Sequence, residues 1–219
     1  GDIRTQASGD PLGCIGDLGV YCVRIAMCAF NFQWPTHCKA AATRMSAEGV
    51  PLDVTCEVYW GAEKQRLLHF HASFCHVFRQ WVEVTGEKKV LRLDDFTIAK
   101  NSSEVEFSTE HFAPSGPLID DATLTLSSKE VTKTFGCCQE QRMIENFSTL
   151  VRKDPLRGVP ATWSTPRFWM EATVMSQAIL DGLMTSIRAD ESSTHGMLRN
   201  VKRNAGNTLN LKSHITSVI

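Results

Sequence analysis

The chain has 219 residues, 42% of them hydrophobic, with 23 basic and 24 acidic side chains and a formal net charge of −1. That length suits one large domain or two small ones with a real core. The charge balance excludes nucleic acid as the main partner, because phosphate binding needs a clear basic excess, and no block of charge marks a membrane surface. The apolar stretch 20–32 carries Arg24 and is too short to cross a bilayer, so no membrane association is predicted. No secretory signal is visible. The chain opens on Gly rather than Met, which leads us to expect an upstream piece.

The first element holds the most informative residues, Gly16-Asp17-Leu18-Gly19-Val20-Tyr21-Cys22. They follow the loop Pro11-Leu12-Gly13-Cys14-Ile15 and begin a helix over 17–30. Leu18, Tyr21, Cys22, Ile25, Ala26, Ala29 and Phe30 nearly surround it, which predicts a buried helix. Asn31 and Pro35 end it. An acid and a phenol four residues apart lie on one side of a helix. The two glycines let the chain come close to a neighbour or a ligand. Asp17 is able to orient a substrate hydroxyl, and Tyr21 to act as a general acid toward a carbonyl oxygen if a cation stabilises its anion. On the residues alone the plainer reading is preferred: a helix N-cap aspartate and a half-buried core tyrosine.

Residues 37–127 read as a run of strands. Val54, Cys56, Val58 and Trp60 alternate with Thr55, Glu57 and Tyr59, and Leu68, Phe70, Ala72 and Phe74 alternate with His69, His71 and Ser73. This period of two marks a sheet with one covered face. Thr85-Gly86-Glu87-Lys88-Lys89 reads as a hairpin turn. Residues 99–120 read as a long polar excursion with one short strand at 105–107. His69 and His71, with His76 nearby, share the spacing of metal ligands on one strand face. No third ligand and no supporting carboxylate is placed by the sequence, so the expectation is outward polar residues and no metal site.

Two helices follow. Met143, Ile144, Phe147, Leu150 and Val151 form the stripe of the first, which ends before Asp154-Pro155. Cys137-Cys138 reads as its start. Thr165 is a plausible N-cap of the second, with Pro166 at its first position, and its stripe is Phe168, Ala172, Met175, Ile179, Leu183 and Ile187. From Ala189 the stripe stops, and 189–219 is expected to be a loose polar tail. The eight cysteines lie mostly inside apolar patterns, without a CxxC, and predict reduced, buried thiols of an intracellular protein. The order of elements predicts an α+β fold: an open, mostly antiparallel sheet with helices packed on one face.

The segment Gly1-Asp2-Ile3-Arg4 with 11–24 resembles the start of the C-terminal domain in the glucose–fructose oxidoreductase / inositol dehydrogenase (Gfo/Idh/MocA) family. The resemblance is greatest to the branch that holds dimeric dihydrodiol dehydrogenase and its plant relatives. Phe78-Arg79-Gln80-Trp81-Val82-Glu83-Val84-Thr85-Gly86, Leu91-Arg92-Leu93-Asp94-Asp95-Phe96, 141–147 and the helix after Pro166 extend it over 1–188. The resemblance implies a substrate and dimerisation domain that works beside an N-terminal Rossmann domain, which binds NAD or NADP and supplies a catalytic lysine. It implies Tyr21 as proton donor or acceptor and Asp17 as a positioning group at the substrate. It also implies a homodimer through the open sheet face, a small-molecule substrate and a cytoplasmic location. The chain has no glycine-rich dinucleotide fingerprint and no Glu-Lys-Pro motif. The isolated chain is therefore expected to bind NAD(P) weakly if at all and to be inactive. The alternative is a non-catalytic binding and dimerisation module.

Overall fold

The structure is a computed structural model that describes residues 2–98, 104–115, 123–135, 139–152, 166–200 and 217–218. The chain divides into two compact units, Gly1–Phe78 with Val174–Ile219, and Arg79–Thr173. The fold is α+β, as the order of elements predicts, with two open four-stranded sheets in place of a single one.

The first unit opens with a 3-10 turn, Ile3–Thr5, and a π-helical turn, Ile15–Gly19, that runs into α1 (Val20–Ala29). β1 (His37–Met45), β2 (Pro51–Trp60) and β3 (Arg66–Ser73) follow as an antiparallel meander. A short β8 (Ser217–Val218) lies parallel to β3. The alternation in β2 and β3 is realised: Val54, Cys56, Val58, Trp60, Leu68, Phe70 and Ala72 are buried. Burying a side chain such as Phe70 contributes about 2–3 kcal/mol. α1 covers this face at β3, where a Cβ on Gly19 would sit 3.0 Å from the Phe70 ring. The helix α3 (Pro166–Asn200) covers it at β1. A Cβ on its Gly182 would lie 3.5 Å from Cys38, and the Ser186 hydroxyl accepts from the Ala40 amide at 3.2 Å. That bond occupies a backbone donor on an edge strand that would otherwise be open to pairing.

α1 is less enclosed than its composition suggests. Cys22, Val23, Ala26 and Met27 are buried, but Ala29 and Tyr21 are exposed. Apolar residues on every side of a helix cannot all be covered when only one side meets the sheet. α3 buries Ala172, Met175, Ile179, Leu183 and Ile187, the expected stripe, together with Leu180 and Met184. It begins at Pro166 and continues past Ala189 to Asn200.

The second unit holds β4 (Trp81–Thr85), β5 (Lys89–Asp94), β6 (Glu104–Ser115) and β7 (Thr123–Phe135), an antiparallel meander. The turn at Gly86 falls where expected. The polar excursion is a correction: β6 runs well beyond 105–107, and β7 extends past 127. The pairing that builds them is between backbones, with Glu106 opposite Lys133 and Glu110 opposite Lys129, so hydrophobic alternation does not reveal it. Buried Gln80 anchors the loop after β5, accepting from the Ile98 and Thr97 amides and donating to the Ile98 carbonyl. α2 (Gln139–Arg152) leaves Met143, Ile144 and Phe147 exposed. Cys137, Cys138 and Thr165 lie outside the described residues.

The six cysteines among the described residues stand outside disulfides, and Cys14, Cys22 and Cys56 are buried as expected. Cys28 and Cys75 are exposed, against that expectation, because Cys28 faces away from the sheet and Cys75 follows the end of β3. Burial, with a smaller push from the charge of Asp53, raises the Cys14 thiol to about 12. At neutral pH it is an uncharged core side chain.

Candidate functional site

The loop before α1 is shaped by close approach. Gly13 has φ +52°, and a Cβ there would meet the Pro51 carbonyl oxygen at 2.3 Å. Glycine alone accepts both the left-handed backbone and that contact. Cys14 and Ile15 enter the core directly after it. The following turn is π-helical, a form found mostly as single turns and often at functional sites.

Asp17 lies in that π-helical turn, and Tyr21 in the first turn of α1. Asp17 is not the helix cap, since Gly19 holds that position. Its Oδ2 instead accepts from Arg4 Nη1 at 3.3 Å. Arg4 is also bound to Asp2 at 2.7 Å and lies 5.4 Å over the Phe74 ring. Hydrogen bonds to Asp2 first, and to Asp17 after it, hold the Arg4 guanidinium charged, and the same pairing lowers the Asp2 carboxyl to about 2. Tyr21 is 44% exposed, more open than a core tyrosine. The glycines serve neighbours within the chain: Gly19 meets Phe70, and Gly16 meets Leu12. The result is an exposed phenol one helical turn from a carboxylate that a guanidinium fixes in place. Such a pair is able to orient a hydroxyl or carbonyl compound and exchange a proton with it.

The uncovered face of the first sheet carries a second polar group. Tyr59 donates to Glu57 Oε2 at 2.7 Å, and this bond pushes its phenol above the usual range. His69 Nδ1 lies 3.7 Å from Glu57, and Lys64 sits 4.9 Å over the Tyr59 ring. The three histidines do not act together. His69 goes to Glu57, while His71 and His76 both go to Asp53. Sequence reading missed Asp53 because its neighbours Val50 and Val54 mark a buried strand. An acid within such a run is itself the signal, since burying a lone carboxylate is costly.

No family model matches the chain. Solved structures do. The chain superimposes with a TM-score of 0.65 on a variant of KijD10, a 3-ketoreductase from Actinomadura kijaniata in complex with TDP-benzene and NADP. Identity is 16%, over 85% of this chain and 49% of that one. On an oxidoreductase from Desulfitobacterium hafniense, described as NADPH-dependent, the TM-score is 0.60, with 15% identity over 87% of this chain and 50% of that one. The open conformation of KijD10 gives 0.56, with 14% identity over 81% and 48%. At such identities the likeness is one of fold, and the chain spans about half the length of the structures it matches. Its fold is that found in part of NADP-dependent oxidoreductases.

Proposed function

We propose that this chain is the substrate-binding and dimerisation part of an NAD(P)-dependent oxidoreductase of the Gfo/Idh/MocA type, in the dihydrodiol dehydrogenase-like branch. Its substrate is a sugar, a polyol or a related hydroxy or carbonyl compound. The observation that carries the reading is the exposed Tyr21 phenol one turn from the Arg4-bound Asp17, at the start of a helix packed on an oxidoreductase-like sheet. Tyr21 gives or takes the proton at the substrate oxygen, and Asp17 orients the substrate. The described residues do not fit a nicotinamide dinucleotide. They contain no strand–helix–strand unit of parallel strands, and no glycine-rich turn leads from a strand into a helix. Hydride chemistry belongs to a separate nucleotide-binding domain, and this chain contributes the substrate side. The half-buried polar face of Thr55, Glu57, Tyr59, His69 and His71 supports pairing of two copies through the open sheet, and the setting is the cytoplasm.

The test begins with the mass of the endogenous protein on a denaturing blot. A band larger than 24.4 kDa by a nucleotide domain of roughly 100–150 residues is expected. In that longer protein, Tyr21→Phe should lower kcat by about 100-fold or more while leaving NADPH affinity unchanged. Full activity in Tyr21→Phe rejects the proton-transfer role. A single band at 24.4 kDa favours the second reading, a non-catalytic binding and dimerisation module, for which the absent dinucleotide motif speaks.

A further inference from the structure

Asp53 is the only charged side chain among the buried described residues, at 7% exposure. The two flanking strands, β1 and β3, and a turn converge on its carboxylate. Thr43 stands at the β-bulge of β1, where the register shifts between Ala42 and Arg44, and its hydroxyl donates to Oδ1. A bulge re-aims a side chain in this way. From β3, His71 Nε2 lies 3.1 Å from Oδ1, and the Ser73 hydroxyl donates to Oδ2 at 2.8 Å. Ser73 Oγ also accepts from the Cys75 amide at 3.0 Å, which turns the chain back after β3. That turn brings His76 Nε2 to 2.8 Å from Oδ2. The two imidazoles have centroids 5.5 Å apart, and one ligand atom from each of the three residues lies within 4.8 Å of the others. Burial opposes ionisation of Asp53, but the hydrogen bonds from Thr43, Ser73 and His71 outweigh it and hold the carboxyl well below its usual range.

We propose that Asp53, His71 and His76 bind one divalent cation of the Zn²⁺ class. Two imidazoles and one carboxylate are the donor set of such ions, whereas Mg²⁺ and Ca²⁺ favour oxygen alone. Around a tetrahedral ion at about 2.0–2.1 Å, ligand atoms stand about 3.3 Å apart. The 3.1 and 2.8 Å contacts of His71 and His76 run to different oxygens of Asp53, and the three ligand atoms lie within 4.8 Å of one another, so seating the ion draws them together by up to about 1.5 Å. Thr43 and Ser73 donate to the carboxylate from outside the ligand set, as the partners that orient metal ligands do. His76 is 64% exposed at its side chain, so the ion has a path from solvent and the fourth position is left to water. The site rests on none of the residues assigned to proton transfer and shares only His71 with the sheet face offered for pairing.

The test is Zn²⁺ titration of the full 219-residue chain against a chromophoric chelator, followed by the Co²⁺ absorption spectrum. One ion per chain is expected, with a Co²⁺ spectrum that lacks a thiolate charge-transfer band. His76→Ala removes an exposed ligand without opening a cavity, so the metal-free Tm should hold. Its Zn²⁺ affinity should fall by at least about tenfold, and Thr43→Ala should weaken binding less. No Zn²⁺ binding by the native chain overturns the proposal and leaves a hydrogen-bonded ion cluster. Unchanged affinity in His76→Ala, or a thiolate band pointing to Cys75 or Cys28, overturns it equally.

Discussion

Along β2, Val54, Cys56, Val58 and Trp60 lie buried beneath helices, whereas along β7 every residue from 128 to 133 is exposed. Both strands pair antiparallel with their neighbours, so the backbone ladder is common to the two. The difference lies in what the side chains add. The first sheet gains from apolar burial on one face. The β6–β7 pair has cross-strand ion pairs, Glu110 with Lys129 at 2.8 Å and Glu106 with Lys133 at 3.1 Å. Exposed pairs of this kind contribute about 0–1 kcal/mol each. A sheet can thus be specified by burial or by pairing, and only the first leaves a strong hydrophobic period.

Truncation should expose this contrast most clearly. Trp60→Ala is expected to cost about 3–5 kcal/mol in urea unfolding, because the ring is fully buried, packs at a tilt with its centroid 4.7 Å from that of Phe30 and donates to the Gln33 carbonyl. Val131→Ala, half-exposed on β7, should stay within about 0.5 kcal/mol. Equal losses would break the comparison.

The polar end of the first sheet comes next. Asp53→Asn should cost about 3 kcal/mol at neutral pH, since it breaks a buried charge cluster. The folded carboxyl titrates below its unfolded value. It therefore contributes stability above the unfolded pKa of about 3.9, and that contribution is lost as pH falls from there toward the lower folded value. The variant should show a flatter acid limb below about pH 4. An acid limb that matches the native one would remove Asp53 from the account.

Glycine substitutions separate the units on a smaller scale. Gly19→Ala places a Cβ 3.0 Å from the Phe70 ring, against ordinary contact at 3.5 Å for Gly86. Thermal unfolding should show about 1–3 kcal/mol for the first and under about 0.5 kcal/mol for the second. The smallest effect is expected from Lys133→Ala: under about 1 kcal/mol at low salt, vanishing in molar salt. A loss that persists in salt would mean that Lys133 packs rather than pairs.

Sequence legibility follows the same division. The α1–β3 region was legible because burial writes a period into the chain, and α3 was legible from its stripe and from Pro166 at the first helical position. β6 was read only at 105–107 and the run of strands only to 127, short of the end of β7, because solvent-facing strands need no apolar alternation. Asp17 and Tyr21 were visible as a pair, but the partner of Asp17 was not, since Arg4 comes from a separate turn thirteen residues upstream. The histidines were visible one by one, while their sorting between Glu57 and Asp53 was not.

The order of residues is enough to give the α+β class, the covered face of the first sheet, the hairpin at Gly86 and the placing of the acid and phenol one helical turn apart. Each follows from local periodicity or from backbone freedom at a single residue. Tertiary structure alone decided the division into two sheets, the exposure of Tyr21, the seat of Arg4 on Asp17 and the meeting of Thr43, Asp53, His71, Ser73 and His76. These depend on register, on a bulge and on the return of a turn, and they bring together residues whose spacing along the chain carries no sign of their proximity.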